Sequence, residues 1–210
     1  MKKIYKYSTV LLLLSLLGAC AARGPYKERI VRVRDMKNNQ SSLVYGQIVM
    51  PSDMWYMEHV MLQRVGKVYV GMGLRGTSEP IYVSPDGKFV CVNIKPGKYM
   101  LSGFLIGSNM SHLGKQALNY TIEVKPGKSQ YFGALKYIEG KQAGAFRMGT
   151  FGLEYDKTKA RHAEILNWVS KSTVNTKWQG PVNKKLKKYK RYLPKEVKQE
   201  GKKMETKKKK

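Results

Sequence analysis

Three short turn motifs divide the middle of this 210-residue chain into brief apolar runs. Each motif combines a proline, whose φ is preset, with a glycine, whose φ can be positive. The motifs are Ser84-Pro85-Asp86-Gly87-Lys88, Lys95-Pro96-Gly97-Lys98 and Lys125-Pro126-Gly127-Lys128. Because the runs between them are short and show no helical period, they predict a mainly β protein, with an antiparallel sandwich or barrel over residues 43–156.

The strands of this domain are predicted to lie between the turn signals. We predict strands at 43–50, 59–65, 67–74, 80–83, 88–94, 98–106, 118–124, 130–138 and 145–155. A further strand is expected at 29–34, inside a linker over 20–42. Cys91 falls within a predicted strand, so we interpret it as a buried small hydrophobic residue rather than a reactive thiol.

The beginning of the chain has the organisation of a signal peptide. Three lysines precede the leucine-rich run 10–17, which is too short to span a bilayer permanently. Gly18 and Ala19 then supply the small residues that a signal peptidase needs, directly before Cys20. A plain secretory signal with a chance cysteine and an uncleaved anchor are the alternatives.

The string Leu17-Gly18-Ala19-Cys20 resembles the lipobox of bacterial lipoproteins. The resemblance implies a signal peptide over 1–19, cleavage between Ala19 and Cys20, and acylation of Cys20 with diacylglycerol and a further fatty acid such as palmitate. In that family an aspartate after the cysteine commonly retains the protein at the inner membrane, whereas Ala21 stands here. We therefore expect a lipid-anchored protein of the outer membrane that faces the periplasm.

Two of the turn motifs also carry a resemblance to a fold family. Asp86-Gly87-Lys88-Phe89 followed by Ile94-Lys95-Pro96-Gly97-Lys98-Tyr99 is similar to paired motifs of the carboxypeptidase-regulatory-like, transthyretin-like β-sandwich. The segment 124–132 resembles uncharacterised bacterial lipoproteins with that fold. The resemblance covers about residues 43–140 and implies a transthyretin-like sandwich. Since its motifs are turns, it implies little about activity.

A helical pattern follows the predicted sandwich. Ala163, Leu166 and Val169 form one apolar face of a helix over 157–171, for which Asp156 is the predicted cap. We expect this helix, which with its connection occupies 157–180, to pack on the sandwich or to cover an edge strand.

A basic amphipathic helix is predicted between Pro181 and Pro194, ahead of a disordered lysine-rich tail that completes the segment 181–210. Its apolar stripe, predicted to face a membrane, consists of Val182, Leu186, Tyr189 and Leu193. Its cations, predicted to bind an anionic partner, are Lys184, Lys185, Lys187, Lys188, Lys190 and Arg191.

The charge of the chain indicates the chemistry of its partner. The formal net charge is +26, of which residues 181–210 carry +11. This excess predicts contact with an anionic envelope component: peptidoglycan, lipopolysaccharide or anionic lipid. Aromatic residues such as Trp168 and Trp178 interleave with the cations, as in nucleic-acid binders, but an exported lipoprotein rarely meets nucleic acid. No small-molecule substrate is expected.

No motif in the sequence supports catalysis, and we predict no catalytic residue, no metal site and no cofactor. Residues 71–76 match G-x-G-x-x-G, but the helix and the acid that dinucleotide binding requires do not follow. His59, His112 and His162 belong to no ligand motif. The sequence therefore favours a non-enzymatic structural or interaction module.

Two other functions stay open. The sandwich could dock a protein partner as a subunit of a secretion or other envelope machine. An envelope enzyme would instead require carboxylates or histidines that converge in a pocket of the folded domain.

Overall fold

The computed structural model describes residues 42–51, 56–66, 81–107, 109–140 and 150–194, to which all structural statements below refer. These residues form two β-sheets and two α-helices. The strands are β1 (Ser42–Val49), β2 (Met57–Arg64), β3 (Ile81–Val83), β4 (Lys88–Ile94), β5 (Gly97–Ile106), β6 (Asn109–His112), β7 (Thr121–Val124), β8 (Ser129–Glu139) and β9 (Phe151–Asp156). The α-helices are α1 (Lys159–Ser172) and α2 (Gln179–Tyr189), and 3₁₀ helices lie at Gly114–Asn119 and Lys190–Tyr192.

The two sheets confirm the predicted mainly β sandwich, with one departure from the antiparallel pattern. The larger sheet has the order β3-β4-β1-β8-β9, while in the smaller sheet β5 pairs with β2, β6 and β7. Strands β1 and β8 run parallel, whereas the other described pairs are antiparallel. Parallel neighbours require a long crossover, which here includes the whole smaller sheet.

The main apolar core lies between the sheets. Alternate residues of β1, including Val44 and Ile48, point into it from the larger sheet, and Phe104 of β5 faces them from the smaller one. Phe89 packs its ring edge-to-face on Phe132, with centroids 5.9 Å apart. Cys91 is fully buried in this core, which confirms its predicted role as a small hydrophobic residue.

The opposite face of the larger sheet carries a second apolar cluster under the two helices. The intervening residues of β1, Leu43 and Tyr45, point into it, so β1 is buried on both faces. The buried helical-side residues of the cluster are Ile165, Leu166, Val169, Trp178 and Val182. The predicted C-terminal helix therefore packs on the face of the sandwich, and the molecule has three layers.

The turn motifs mark the strand ends as predicted. Gly87, Gly97 and Gly127 all have positive φ. A Cβ at Gly87 would in addition collide with the backbone oxygen of Ile48, so the turn before β4 requires glycine there.

Several predicted element boundaries need correction. The predicted strand 118–124 is wrong in its first half, where the chain forms a 3₁₀ helix up to Asn119, and β6 was not predicted at all. The signal peptide 1–19, Cys20, the strands at 29–34 and 67–74, the glycine motif 71–76 and the tail 195–210 lie outside the described residues.

The predicted cap of α1 is also wrong. Thr158 is the N-cap, and its hydroxyl accepts a hydrogen bond of 3.4 Å from the Arg161 amide. Asp156 lies two residues earlier, and its carboxylate accepts a hydrogen bond of 2.9 Å from the Thr158 amide. Helix α2 begins two residues before Pro181, which is tolerated because amides of the first turn have no intrahelical acceptor. Neither described α-helix has the length and apolar content needed to cross a membrane.

Candidate functional site

The strongest concentration of charge among the described residues lies on the helices. We call residues 157–194, which comprise α1, α2, their connection and the second 3₁₀ helix, the helical layer. This layer contains eleven Lys and Arg residues and one Glu, a net charge of +10. The layer packs through its apolar side on the larger sheet, so its polar side is turned to solvent.

The predicted apolar stripe faces the protein's own sheet. Val182 is fully buried and Leu193 is 6% exposed. Leu186 and Tyr189 are half-buried and pack against the cluster on the larger sheet. The prediction that this stripe faces a membrane is therefore wrong, because the sheet already removes it from water.

Five of the six predicted cations remain on the surface. They are Lys184, Lys187, Lys188, Lys190 and Arg191. At 100° per residue, Lys184, Lys187 and Lys188 lie on the side of α2 opposite the apolar stripe, and Arg191 follows them in the 3₁₀ helix Lys190–Tyr192. Like charges three and four residues apart repel each other, so this row favours a bound anion. We call these four residues the cation row.

Lys185 is the exception, because it turns inward. Its ammonium group donates a hydrogen bond to the backbone oxygen of Ser129 and lies 6.0 Å from the centroid of the Tyr45 ring. Burial and the nearby charge of Lys128 lower the pKa of Lys185. This lysine joins α2 to the sheet and does not belong to the outer surface.

A cluster of aromatic rings surrounds His162 beneath α2. The His162 ring stacks on Tyr131 at 3.8 Å, and its Nε2 lies 3.3 Å from the Tyr45 hydroxyl. Tyr189 of α2 contacts the same imidazole with ring centroids 4.3 Å apart. The cluster thus connects both helices with β1 and β8.

The electrostatics of this cluster keep it neutral at physiological pH. Burial, reinforced by the charge of Lys185, lowers the pKa of His162 to about 4. Burial also raises the pKa of Tyr45 and of Tyr131 above the usual range. A general base needs a pKa close to the working pH, which His162 lacks. We interpret the cluster as a structural joint between layers. Nothing in the sequence pattern indicated it, because its members come from four separate elements.

The three histidines, for which the sequence predicted no ligand role, lie in separate places. His59 is half-buried on β2, His112 is exposed at the end of β6, and His162 belongs to α1. Among the described residues, no three His, Cys, Asp or Glu side chains are grouped so that they could hold a metal ion.

A second set of cations lies at the end of the helical layer where α1 begins and α2 ends. Lys159 starts α1 and Arg191 follows α2, yet both lie against the ring of Tyr192. The distance to the ring centroid is 5.5 Å from the Lys159 nitrogen and 4.8 Å from the Arg191 guanidinium carbon.

Comparisons with known proteins add little to this picture. No protein-family model matches the chain, and no curated protein matches it in sequence. Among solved structures, the chain is similar to a protein of Bacteroides fragilis provisionally assigned to cell adhesion, with 10% sequence identity and a TM-score of 0.27. The likeness covers 57% of this chain and 46% of that protein. A likeness this weak carries no inference about function.

Proposed function

We propose that this protein is a lipid-anchored lipoprotein of the bacterial outer membrane and a non-enzymatic interaction module. Its helical layer holds an anionic envelope component, which is peptidoglycan, lipopolysaccharide or anionic lipid. The observation that carries this proposal is the cation row, exposed on α2 and on the 3₁₀ helix after it, while the apolar side of α2 is packed on the sheet.

Binding through the cation row is electrostatic. Each Lys or Arg close to an anionic surface contributes about 1 kcal/mol, so the four residues together supply a roughly 1000-fold gain in affinity at low salt. The row is held on a folded helix, which reduces the entropy lost on binding. Since the apolar stripe is occupied by the sheet, the contact needs no insertion into lipid and weakens steeply with salt.

The lipid anchor of this proposal is supported by the lipobox resemblance at Cys20. Tethering at Cys20 raises the local concentration of the helical layer next to the membrane, so weak contacts become effective. The lipid at Cys20 and the cation row therefore strengthen each other's attachment, and the proposal needs no third contact.

The binding proposal is tested with a charge-matched pair of variants. In the first, the cation row is changed to glutamine: Lys184→Gln, Lys187→Gln, Lys188→Gln and Arg191→Gln. In the control, four exposed lysines of the sandwich are changed: Lys95→Gln, Lys98→Gln, Lys115→Gln and Lys125→Gln. Co-sedimentation with peptidoglycan, lipopolysaccharide and anionic vesicles should fall strongly for the first variant and little for the control. Equal retention of both variants on all three materials would contradict the proposal.

The anchor is tested by labelled palmitate. The wild-type protein should incorporate the label and stay in the membrane fraction, while Cys20→Ser should remain an unprocessed precursor without lipid. A wild-type protein that takes up no label, or that washing releases, rules out the anchor.

The docking-subunit hypothesis is our second candidate. It draws on large apolar side chains at the sandwich surface, of which Leu118 is 60% exposed and Ile138 is 46% exposed. Single exposed apolar residues are common, so we place this function second. Crosslinking in intact cells distinguishes protein docking from binding of an anionic component. If the cation-row variant is still crosslinked to a defined protein partner, the result favours docking through the sandwich.

A further inference from the structure

We propose that the cation row and Lys128 together face the anionic phospholipid headgroups of the leaflet that carries the lipid on Cys20. The inference rests on the proposed function and deepens it, because it selects anionic lipid from the three anionic components named there. It follows from the place at which the chain enters the sandwich. We call Lys128 and the cation row the membrane-facing surface.

The chain that leads back to Cys20 meets the sandwich at the start of β1, beside the turn between β7 and β8. Leu43 pairs with Ser129 in the parallel register of β1 and β8. The Leu43 amide also donates a hydrogen bond of 3.0 Å to the backbone oxygen of Lys128. Since neighbouring strands lie about 4.8 Å apart, the point of entry and Lys128 are directly adjacent.

Helix α2 reaches the same part of the larger sheet. The ammonium group of Lys185 donates a hydrogen bond to the backbone oxygen of Ser129, the residue paired with Leu43. Burial lowers the pKa of Lys185, and the nearby charge of Lys128 lowers it further. The start of β1, the turn that contains Lys128 and the middle of α2 are therefore neighbours.

The two flanks of α2 have different surroundings. Asn183 lies about 160° around the helix from Lys185 and accepts a hydrogen bond of 2.5 Å from the Ser170 hydroxyl of α1. Helix α1 thus covers one flank of α2, and the point of chain entry lies at the other. Lys184 and Lys188 are within about 100° of Lys185, so the outward side of α2 adjoins the flank of chain entry.

The charges decide which face of the tethered protein turns to the membrane. Twenty-one residues separate Cys20 from Ser42, a chain that can span at most about 75 Å, so the tether alone permits many orientations. An anionic surface attracts the membrane-facing surface next to the point of entry. At the other end of β8, roughly 33 Å from Ser129, the exposed residue is Glu139, which the same surface repels.

The acids near α1 leave this attraction in place. Asp156 accepts the Thr158 amide, and its carboxylate lies 3.6 Å from the Arg161 side chain. Glu164 accepts a hydrogen bond of 2.9 Å from the same arginine. The helical layer has a net charge of +10 with Glu164 included, so an anionic surface meets a positive layer even with these ion pairs formed.

Lysine acetylation of the wild-type full chain, carrying its lipid, tests the orientation without any substitution. Liposomes of phosphatidylcholine with phosphatidylglycerol are compared with liposomes of phosphatidylcholine alone at about 0.1 M salt, where screening confines the effect to close contacts. Mass spectrometry measures the acetylation rate at each lysine. We expect Lys128 and the three lysines of the cation row to react about 5-fold more slowly in the anionic liposomes. Lys115 and Lys136, exposed on the sandwich, are internal controls and should react at nearly the same rate in both.

A matched pair of variants tests the contribution of Lys128. Lys128→Gln should lower the salt concentration that abolishes protection of Lys184 and Lys188, because it removes one cation of the shared surface. Lys115→Gln removes the same charge from an exposed position elsewhere on the sandwich and should leave that salt concentration unchanged.

The outcomes separate this inference from the proposed function. Equal acetylation rates in the two kinds of liposome would overturn the inference, as would protection of the cation row without Lys128. If soluble peptidoglycan protects the cation row and anionic liposomes do not, the lipid assignment is wrong and the binding function stands. If no anionic material protects the row, the proposed function itself fails, and palmitate labelling of the same sample reports on the anchor separately.

Discussion

The sandwich and the helical layer share one sheet but divide the charge of the described residues very unequally. The described sandwich residues, up to 156, contain eight Lys and Arg and six Asp and Glu, a net charge of +2. The helical layer carries +10 in less than half that length. The sandwich therefore serves as a scaffold of near-neutral charge, on which the helices present a strongly basic surface.

The two interfaces of the larger sheet differ as well. The core between the sheets is built almost entirely from aliphatic and aromatic residues. The interface with the helices also contains the ionisable side chains of His162 and Lys185. Because buried polar groups cost desolvation free energy, we expect the helical layer to be the less stable of the two regions.

The largest effect should come from a cavity between the sheets. Phe89 is fully buried and packs on Phe132, so Phe89→Ala should lower the free energy of unfolding by about 3–5 kcal/mol. Urea unfolding followed by circular dichroism measures the loss. As a control, Leu118→Ala removes a side chain that is 60% exposed and should cost less than about 0.5 kcal/mol. Equal losses for both variants would show that the core is not where the structure places it.

A cavity under the helices should cost less. Leu166→Ala is expected to lower the free energy of unfolding by about 2–4 kcal/mol, since Leu166 is fully buried against the sheet. Trp168 and Trp178 belong to this layer and report on it by fluorescence. We expect the fluorescence transition of the variant to precede the loss of β signal. Coincident transitions would mean that the sandwich and the helical layer unfold as one unit, which contradicts the lower stability expected of the helical layer.

Acidification should weaken the joint around His162. Its pKa is about 4 in the folded protein and 6.5 in the unfolded chain, so the unfolded state binds the proton more readily. The stabilisation is complete above pH 6.5 and is lost as the pH falls from 6.5 towards 4. After allowance for the partial exposure of the ring we expect a loss of about 1–2 kcal/mol.

Unfolding curves across this pH range test the joint. His162→Phe keeps an aromatic ring and should remove this part of the pH dependence, whereas His112→Gln, at an exposed position, should leave it unchanged. A pH profile that His162→Phe leaves intact would assign the acid sensitivity to other groups.

The smallest effect concerns the start of α1. Thr158→Ala removes the N-cap hydrogen bond to the Arg161 amide, which at 3.4 Å is long. We expect a loss of about 0.5–1 kcal/mol, at the lower end for a cap. Thr158→Ser retains the hydroxyl and should restore most of the stability. If serine and alanine behave alike, the cap contributes through its backbone conformation alone.

Local sequence was sufficient to predict much of the scaffold. The proline–glycine motifs placed the beginnings of β4, β5 and β8, because a positive φ at Gly87 or Gly127 is a property of a few adjacent residues. The helical period of Val182, Leu186 and Tyr189 likewise revealed α2. Burial of Cys91 followed from the strand that contains it.

The sequence by itself thus determined most of the described strands, the proline–glycine turns and the two sides of each helix, since these depend on neighbours along the chain. Only the tertiary structure decided that the apolar stripe covers the sheet, that β1 pairs in parallel with β8, and that Lys185 turns inward while Lys184 and Lys188 face solvent. An amphipathic helix buries its apolar side on whichever apolar surface is available, and its sequence is the same for a sheet and for a membrane. The sequence does not show which of these lysines turns inward. Lys185 does so because β8 places the backbone oxygen of Ser129 within reach of its ammonium group.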